Sequence, residues 1–333
     1  MKKRFSCAAA ARRICRLALL AALLPATACV KQTPPPQMHQ MHRMQAEDAV
    51  TQAMSAYARG DCRESIRLFS SVPDSQTHPV ALNGLGMAQL LCNQPQQAIA
   101  SFRKAVSLSP TSAALHANLG SAYFAAREYT RAANEFETAL RLDPSNPEAL
   151  VGKAGVLLEQ DRPDEALRFL QMVDDRDKDA PAVLFNRALV LYRLNLFGDA
   201  ERIMSEYLNK VTDDPDAYNA CGVILLRLGR HEEARAALDT AIRLRPDDAV
   251  YYYNRGNICR ADRKFRDAVE DYSRAIACRP DFAEAFVNRG DMRFLLKDAK
   301  QGCADLERAC ALGLCERLES YQELGRCATG VWK

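Results

Sequence analysis

Five residues of metal-ligating type fall close together: Met38, His39, Met41, His42 and Met44. Thioether and imidazole groups suit copper, so metal chemistry could begin here. The competing reading is a disordered tail with incidental Met and His, and no metal is expected. Elsewhere the inventory points away from a reaction centre. The sequence has no Gly-rich phosphate loop, no HExxH and no nucleophile elbow. His78, His116 and His231 are scattered along the rest of the chain. His116 reads as a packing residue and His231 as a solvated turn residue. The acidic pairs Asp213-Asp214 and Asp247-Asp248 stand where turns and helix starts favour Asp. The chain is expected not to be an enzyme and to need no cofactor.

The elements that would position any site are set by a small residue that returns every 34 residues. Gly86, Gly120, Gly222, Gly256 and Gly290 form one rail, with Ala154 and Ala188 at the missing rungs. Ala98, Ala132, Ala166, Ala200, Ala234 and Ala268 form a second, and Gly302 takes the next step. Self-similarity at this period indicates a solenoid of helix pairs. In the repeat beginning at Ala113, Leu119, Gly120 and Tyr123 lie on one helix, and Ala132, Phe136 and Ala139 on a second. Residues three, four and seven apart share a helical face, so each set is an apolar stripe. The small residues let the paired helices cross closely, and Phe136 fills the space beside the crossing. Pro144 lacks an amide hydrogen and ends the second helix. Phe102, Ala105 and Pro110 repeat these stations, as do Leu238, Ala241 and Pro246, then Tyr272, Ala275 and Pro280.

This Gly-Tyr-Ala-Phe-Ala-Pro spacing resembles the tetratricopeptide repeat (TPR) family over residues 46 to 316. The resemblance implies an all-α, right-handed α-solenoid of about eight helix-turn-helix repeats, starting near 46, 79, 113, 147, 181, 215, 249 and 283. The repeats at Pro147 and Pro181 lack the rail Gly and the closing Pro, and carry Val173 and Tyr207 where a small Ala is expected. Looser or re-angled stacking is expected there. Residues 317–333 are expected to form a capping helix, around Leu318 to Leu324, and a tail.

The first 28 residues read as a leader. Lys2, Lys3, Arg4, Arg12, Arg13 and Arg16 precede an apolar run, Leu17 to Leu24, too short to span a bilayer. Ala26-Thr27-Ala28-Cys29 resembles the lipobox of bacterial lipoproteins, with Ala26 where that family favours Leu. The resemblance implies cleavage before Cys29, its lipidation, and anchoring by several acyl chains. A secretory signal cut after Ala28 is the alternative. Val30 is not the Asp that retains lipoproteins at the inner membrane, so an outer-membrane, periplasm-facing location is expected. Residues 29–45, with Pro34, Pro35 and Pro36, read as a disordered tether.

The chain's formal net charge is +3, and its leader holds six basic residues and no acidic one. The mature chain is therefore near 3 − 6 = −3, and no basic stripe argues for nucleic acid. The remaining mixed charges read as ordinary solvation. Nine of the twelve cysteines lie beyond Cys29. An exported chain permits disulfides. Cys62 and Cys92 fall near turns on one edge of the stack and are expected to pair. Cys315 or Cys310 is expected to reach Cys327 and pin the cap. Cys221 and Cys259 read as small buried apolar residues. An odd number leaves at least one thiol free.

Family geometry implies a concave face lined by the first helix of each repeat. Its stations here are Asn83, Met87, Leu90, Phe124, Phe185, Tyr192, Arg193, Asn219, Arg227, Tyr253, Asn257, Arg260, Asp291 and Phe294. Aromatics and Arg are the types that anchor interfaces, and an extended peptide or a helix is the natural guest. A Lys/Asn clamp for an acidic C-terminal tail is not expected, because Tyr253 stands where the clamp needs Lys. The expectation is a periplasmic scaffold binding an envelope partner, such as a pilus or secretion-system component. A self-associating envelope lipoprotein and an adaptor for peptidoglycan enzymes are the alternatives, and a homo-oligomer is left open.

Overall fold

Each repeat writes its own helix starts. Pro79, Pro147, Pro181 and Pro215 open first helices, and Pro95 and Pro163 open second helices; a missing N–H costs nothing in a first turn. Ser112, Asn146, Asp214 and Asp248 cap the following helices by accepting from backbone amides two or three residues on. A computed structural model describes residues 37–72, 78–175 and 177–327. The leader, Cys29 and Pro34–Pro36 lie outside the described residues.

Among the described residues the chain is an all-helical solenoid of seventeen helices with no strand. It divides into two compact parts, up to Asn195 and from Leu196 onward. The first part holds α1 (Gln37–Ala58), α2 (Cys62–Ser70), α3 (Pro79–Leu91), α4 (Pro95–Leu108), α5 (Ala113–Ala125), α6 (Tyr129–Leu142), α7 (Pro147–Glu159), α8 (Pro163–Gln171) and α9 (Pro181–Arg193). The second holds α10 (Phe197–Lys210), α11 (Pro215–Arg227), α12 (His231–Leu244), α13 (Ala249–Ala261), α14 (Phe265–Cys278), α15 (Ala283–Leu295), α16 (Ala299–Ala311) and α17 (Glu316–Glu323). Within each part, consecutive helices pack as antiparallel pairs and first helices lie beside first helices: α3 with α5, α5 with α7, α11 with α13.

The helix α1 begins at Gln37, inside the stretch expected to be a disordered tether. Residues 37–45 contain no Gly or Pro, and Gln and Met are good helix formers, so the helix of the first repeat extends back to the last proline.

A second period, absent from the reading above, runs through the turns. Asn93, Arg127, Asp161, Asn195, Gly229, Arg263 and Lys297 all take positive φ, between 59° and 76°. They stand 34 residues apart, each between the first and second helix of a repeat. Only Gly229 does this without strain from a Cβ. Replacing Arg263 by Gly should therefore stabilise the chain, by about 0.5–1 kcal/mol. Urea unfolding would read this as a raised midpoint; an unchanged or lowered midpoint would show that the Arg263 side chain compensates for its backbone.

In the N-terminal part, Phe69, Phe102 and Phe136 are fully buried. A Cβ on Gly120 would lie 2.8 Å from the Phe136 ring, and one on Gly152 only 2.2 Å. The repeat at Pro147 thus uses glycine after all, two residues before the expected station. Val173 and Tyr207 are both buried. The Tyr207 hydroxyl donates to Asp214 at 2.6 Å, so the large residue is absorbed by a polar partner.

The C-terminal part is stitched by buried charge. Arg255 donates to Asp271, and Arg289 to Asp305, each through Nε and an Nη. Asp271 and Asp305 are 5% and 3% exposed. These charges are not the solvated faces that the composition suggested. They are interior bridges, one repeat apart in sequence.

Cys62 is joined to Cys92. At the other end the pairing departs from expectation. Cys327 is bonded to Cys303 on α16, and Cys315 to Cys310. Cys310 and Cys315 flank the turn between α16 and α17, and that turn brings them together before the tail returns. Cys221 and Cys259 are buried thiols and Cys278 is exposed.

Candidate interaction surface

The stations expected to face a guest divide by their burial. Met87, Leu90, Phe124, Phe185 and Tyr192 are each between 2% and 6% exposed. They are core residues of the N-terminal part, not a presented surface. The physical reason is the close approach of neighbouring first helices, which small residues permit. Phe124, for example, lies 3.5 Å from where a Cβ on Gly155 of α7 would stand. Asn83 is half-buried and accepts from Asn118 Nδ2 at 2.8 Å. Arg193 reaches back to Asp161 at 3.7 Å.

Asn219 and Asn257, in the C-terminal part, are also buried and structural. Asn254 Nδ2 donates to Asn219 at 2.7 Å. Asn257 Oδ1 accepts from the Tyr272 hydroxyl at 3.0 Å and from Asn288 Nδ2 at 3.2 Å. Arg227 is exposed, with its guanidinium 4.4 Å from the centroid of the Phe197 ring. A cross-repeat link from this station recurs in three repeats, Asn118 to Asn83, Asn254 to Asn219 and Asn288 to the Tyr253 hydroxyl, each spanning 35 residues, whereas Asn186 donates to the Ala182 carbonyl of its own helix.

Asn83, Arg193 and Arg227 keep some access singly, and a half-buried set gathers on α13 and α15: Tyr253, Arg260, Asp291 and Phe294. The Tyr253 hydroxyl accepts from Asn288 Nδ2 at 3.0 Å, and its ring packs 4.8 Å from that of Phe282. Arg260 Nη1 donates to Asn288 Oδ1 at 3.4 Å. Asn288 thereby fixes the aromatic and the cation of the preceding repeat. Burial raises the Tyr253 hydroxyl above the ordinary tyrosine range. Burial likewise holds the Asp291 carboxyl above the usual aspartate range, opposed by Arg317. One oxygen of Asp291 meets Arg317 at 2.9 Å, while Oδ1 is buried with no hydrogen-bond partner. Phe294 stacks on Tyr321, ring centroids 4.2 Å apart.

Arg317 and Tyr321 escaped the sequence reading. The signal was there: running the 34-residue register one step past Ala283 lands on Arg317, and Tyr321 takes the station of Tyr253. His231, expected in solvent, meets Asp262 of the next repeat at 2.5 Å. Both ring nitrogens of His116 face acceptors, Glu135 at 2.7 Å and the Pro110 carbonyl at 3.1 Å. Among the described residues no group of three or more His, Cys, Asp or Glu could hold a metal ion. No described helix is long and apolar enough to cross a membrane.

Paired helices in register, with amide-linked first helices and an accessible aromatic, cationic and acidic set, define a protein–protein interaction solenoid. Sequence models of the tetratricopeptide repeat match residues 50–113, 123–189, 185–249 and 249–282. The chain belongs to the tetratricopeptide repeat family. Similar solved structures include the APC/C hetero-tetramer Cut9-Hcn1, at 13% identity and TM-score 0.67, over 85% of this chain and 59% of that one. This chain therefore spans less than two thirds of that relative's length. A tetratricopeptide repeat protein from Parabacteroides merdae aligns at 19% identity and TM-score 0.53, over 75% of this chain and 97% of that one. At these identities the likeness is one of fold. No curated protein matches the chain by sequence.

Proposed function

We propose that the chain is an envelope scaffold, held at the periplasmic face of the outer membrane by a lipid on Cys29. Its α13–α15 face receives a peptide or helix of a protein partner, with a pilus or secretion-system component as the first client to test. The observation that carries the partner-binding reading is the half-buried set Tyr253, Arg260, Asp291 and Phe294, the first two oriented by Asn288, while the apolar and aromatic N-terminal stations are packed away. Pre-positioned aromatic and Arg side chains lose little entropy on binding. The leader and the Ala26-Thr27-Ala28-Cys29 stretch support the anchor.

Tyr253→Ala with Arg260→Ala should cut recovery of a partner from solubilised envelopes about tenfold or more, at unchanged helical circular dichroism. Undiminished recovery would remove this face from the interaction. For the anchor, Cys29→Ser should move the chain from the membrane to the soluble fraction on fractionation; a chain that stays with the membrane would refute lipid attachment there.

A further inference from the structure

The helix α17 sits where a ninth repeat would begin, and among the described residues no second helix follows it. The chain turns at Gly325, with φ at 65°, and Cys327 closes back onto Cys303 of α16. Leu318 is 2% exposed, in one cluster with Leu306 and Cys327. Arg317 and Tyr321 lie one turn apart and meet Asp291 and Phe294 of α15. At eight residues α17 is far too short to hold helical form alone. Its seat depends on these contacts and on the covalent loop. The Tyr321 hydroxyl also bears on the Asp291 carboxyl, yet Oδ1 is buried without a well-formed hydrogen bond, so the fit is incomplete. A guanidinium reaching both carboxylate oxygens would satisfy it better than Arg317 does.

We propose that the α15 face beneath α17 is a docking site for a partner helix bearing an arginine and, one turn later, an aromatic residue. The chain's own α17 occupies it as an internal stand-in, latched by the Cys303–Cys327 bridge. This rests on the scaffold reading above and names the guest. A dithiol reductant opens the latch: it supplies two electrons and two protons, the sulfur–sulfur bond breaks, two cysteine thiols form, and the dithiol becomes a disulfide. The freed α17 then keeps its seat only through the polypeptide link to α16 and its non-covalent contacts, so a guest can displace it.

The test compares the oxidised full chain with a full-length open form carrying C303A, C327A, R317A and Y321A. The probe is a labelled peptide of residues 316–326, ERLESYQELGR. The open form should bind it at least tenfold more tightly than the oxidised chain, and Asp291→Asn in the open form should remove at least tenfold. Equal binding by the two chains, or binding indifferent to Asp291→Asn, would reduce α17 to a plain end cap and overturn the proposal. Should the open form not fold, hydrogen exchange of a chain carrying only C303A and C327A, which keeps the Cys310–Cys315 bond, decides. Its α17 amides should exchange at least tenfold faster than those of the oxidised native chain with α15 unchanged, and unaltered α17 rates would overturn the latch. Failure of the peptide test alongside envelope recovery that still depends on Tyr253 and Arg260 sinks only this inference. Peptide binding without any envelope partner sinks only the scaffold reading.

Discussion

Phe136→Ala should destabilise the N-terminal part by about 3–5 kcal/mol, the range for emptying a fully buried aromatic site. The value belongs at the upper end because the site cannot collapse. Phe136 stands against the backbone of Gly120 in its own repeat and of Gly152 in the next. Both helices are held by their own packing, so neither can move in to fill the void. A second substitution makes this specific. Gly152→Ala alone should cost about 1–3 kcal/mol, because the new methyl would lie 2.2 Å from the Phe136 ring. In the Phe136→Ala background the clash is gone and alanine's helix propensity remains, worth about 1 kcal/mol. The same change should then be neutral or stabilising. Urea unfolding of the four chains gives the coupling directly. Additive effects would mean that Phe136 does not wedge the two repeats apart at that point.

Asp305→Ala should cost about 3–5 kcal/mol in the C-terminal part. The carboxylate accepts from Arg289 at 2.7 and 3.0 Å and from Arg293 at 2.6 Å. The side chains of Arg289, Arg293 and Asp305 are only 13%, 18% and 5% exposed. Removing the acid leaves two neighbouring guanidinium groups with little water to screen them. Asp305→Asn keeps the shape and loses the charge, and should cost less than the alanine change. Thermal unfolding measures the loss, and hydrogen exchange of α15 and α16 locates it. A loss below about 1 kcal/mol for the alanine variant would place this bridge with weak surface pairs.

The fold was legible because its signal is redundant. The rail at Gly86 to Gly290 and the rail at Ala98 to Ala268 state the same period on two helices. Pro and cap residues restate it at the boundaries. The interaction face was legible only in part. A station number says which way a side chain leaves its helix, but not whether the next helix covers it. Phe124 and Tyr253 therefore looked alike in sequence, and one is core while the other keeps access. Asp305 was misread for a related reason. Mixed charge on a helix is usually solvated, and only the recurrence of Arg255 with Asp271 at Arg289 with Asp305 marks it as interior. The cap disulfides were misread because nearness in sequence cannot tell Cys303 from Cys310 as the partner of Cys327.

The left-handed pivots between helices, one in every repeat from Asn93 to Lys297, bear on how such a chain can change in length. A single residue inserted into a helix rotates everything beyond it by about 100° and turns core side chains toward water. A block copied from one pivot to the next carries its own corner, proline and wedge, and leaves every later contact in phase. Growth or loss by whole blocks is thus the mutational path of least damage for this molecule.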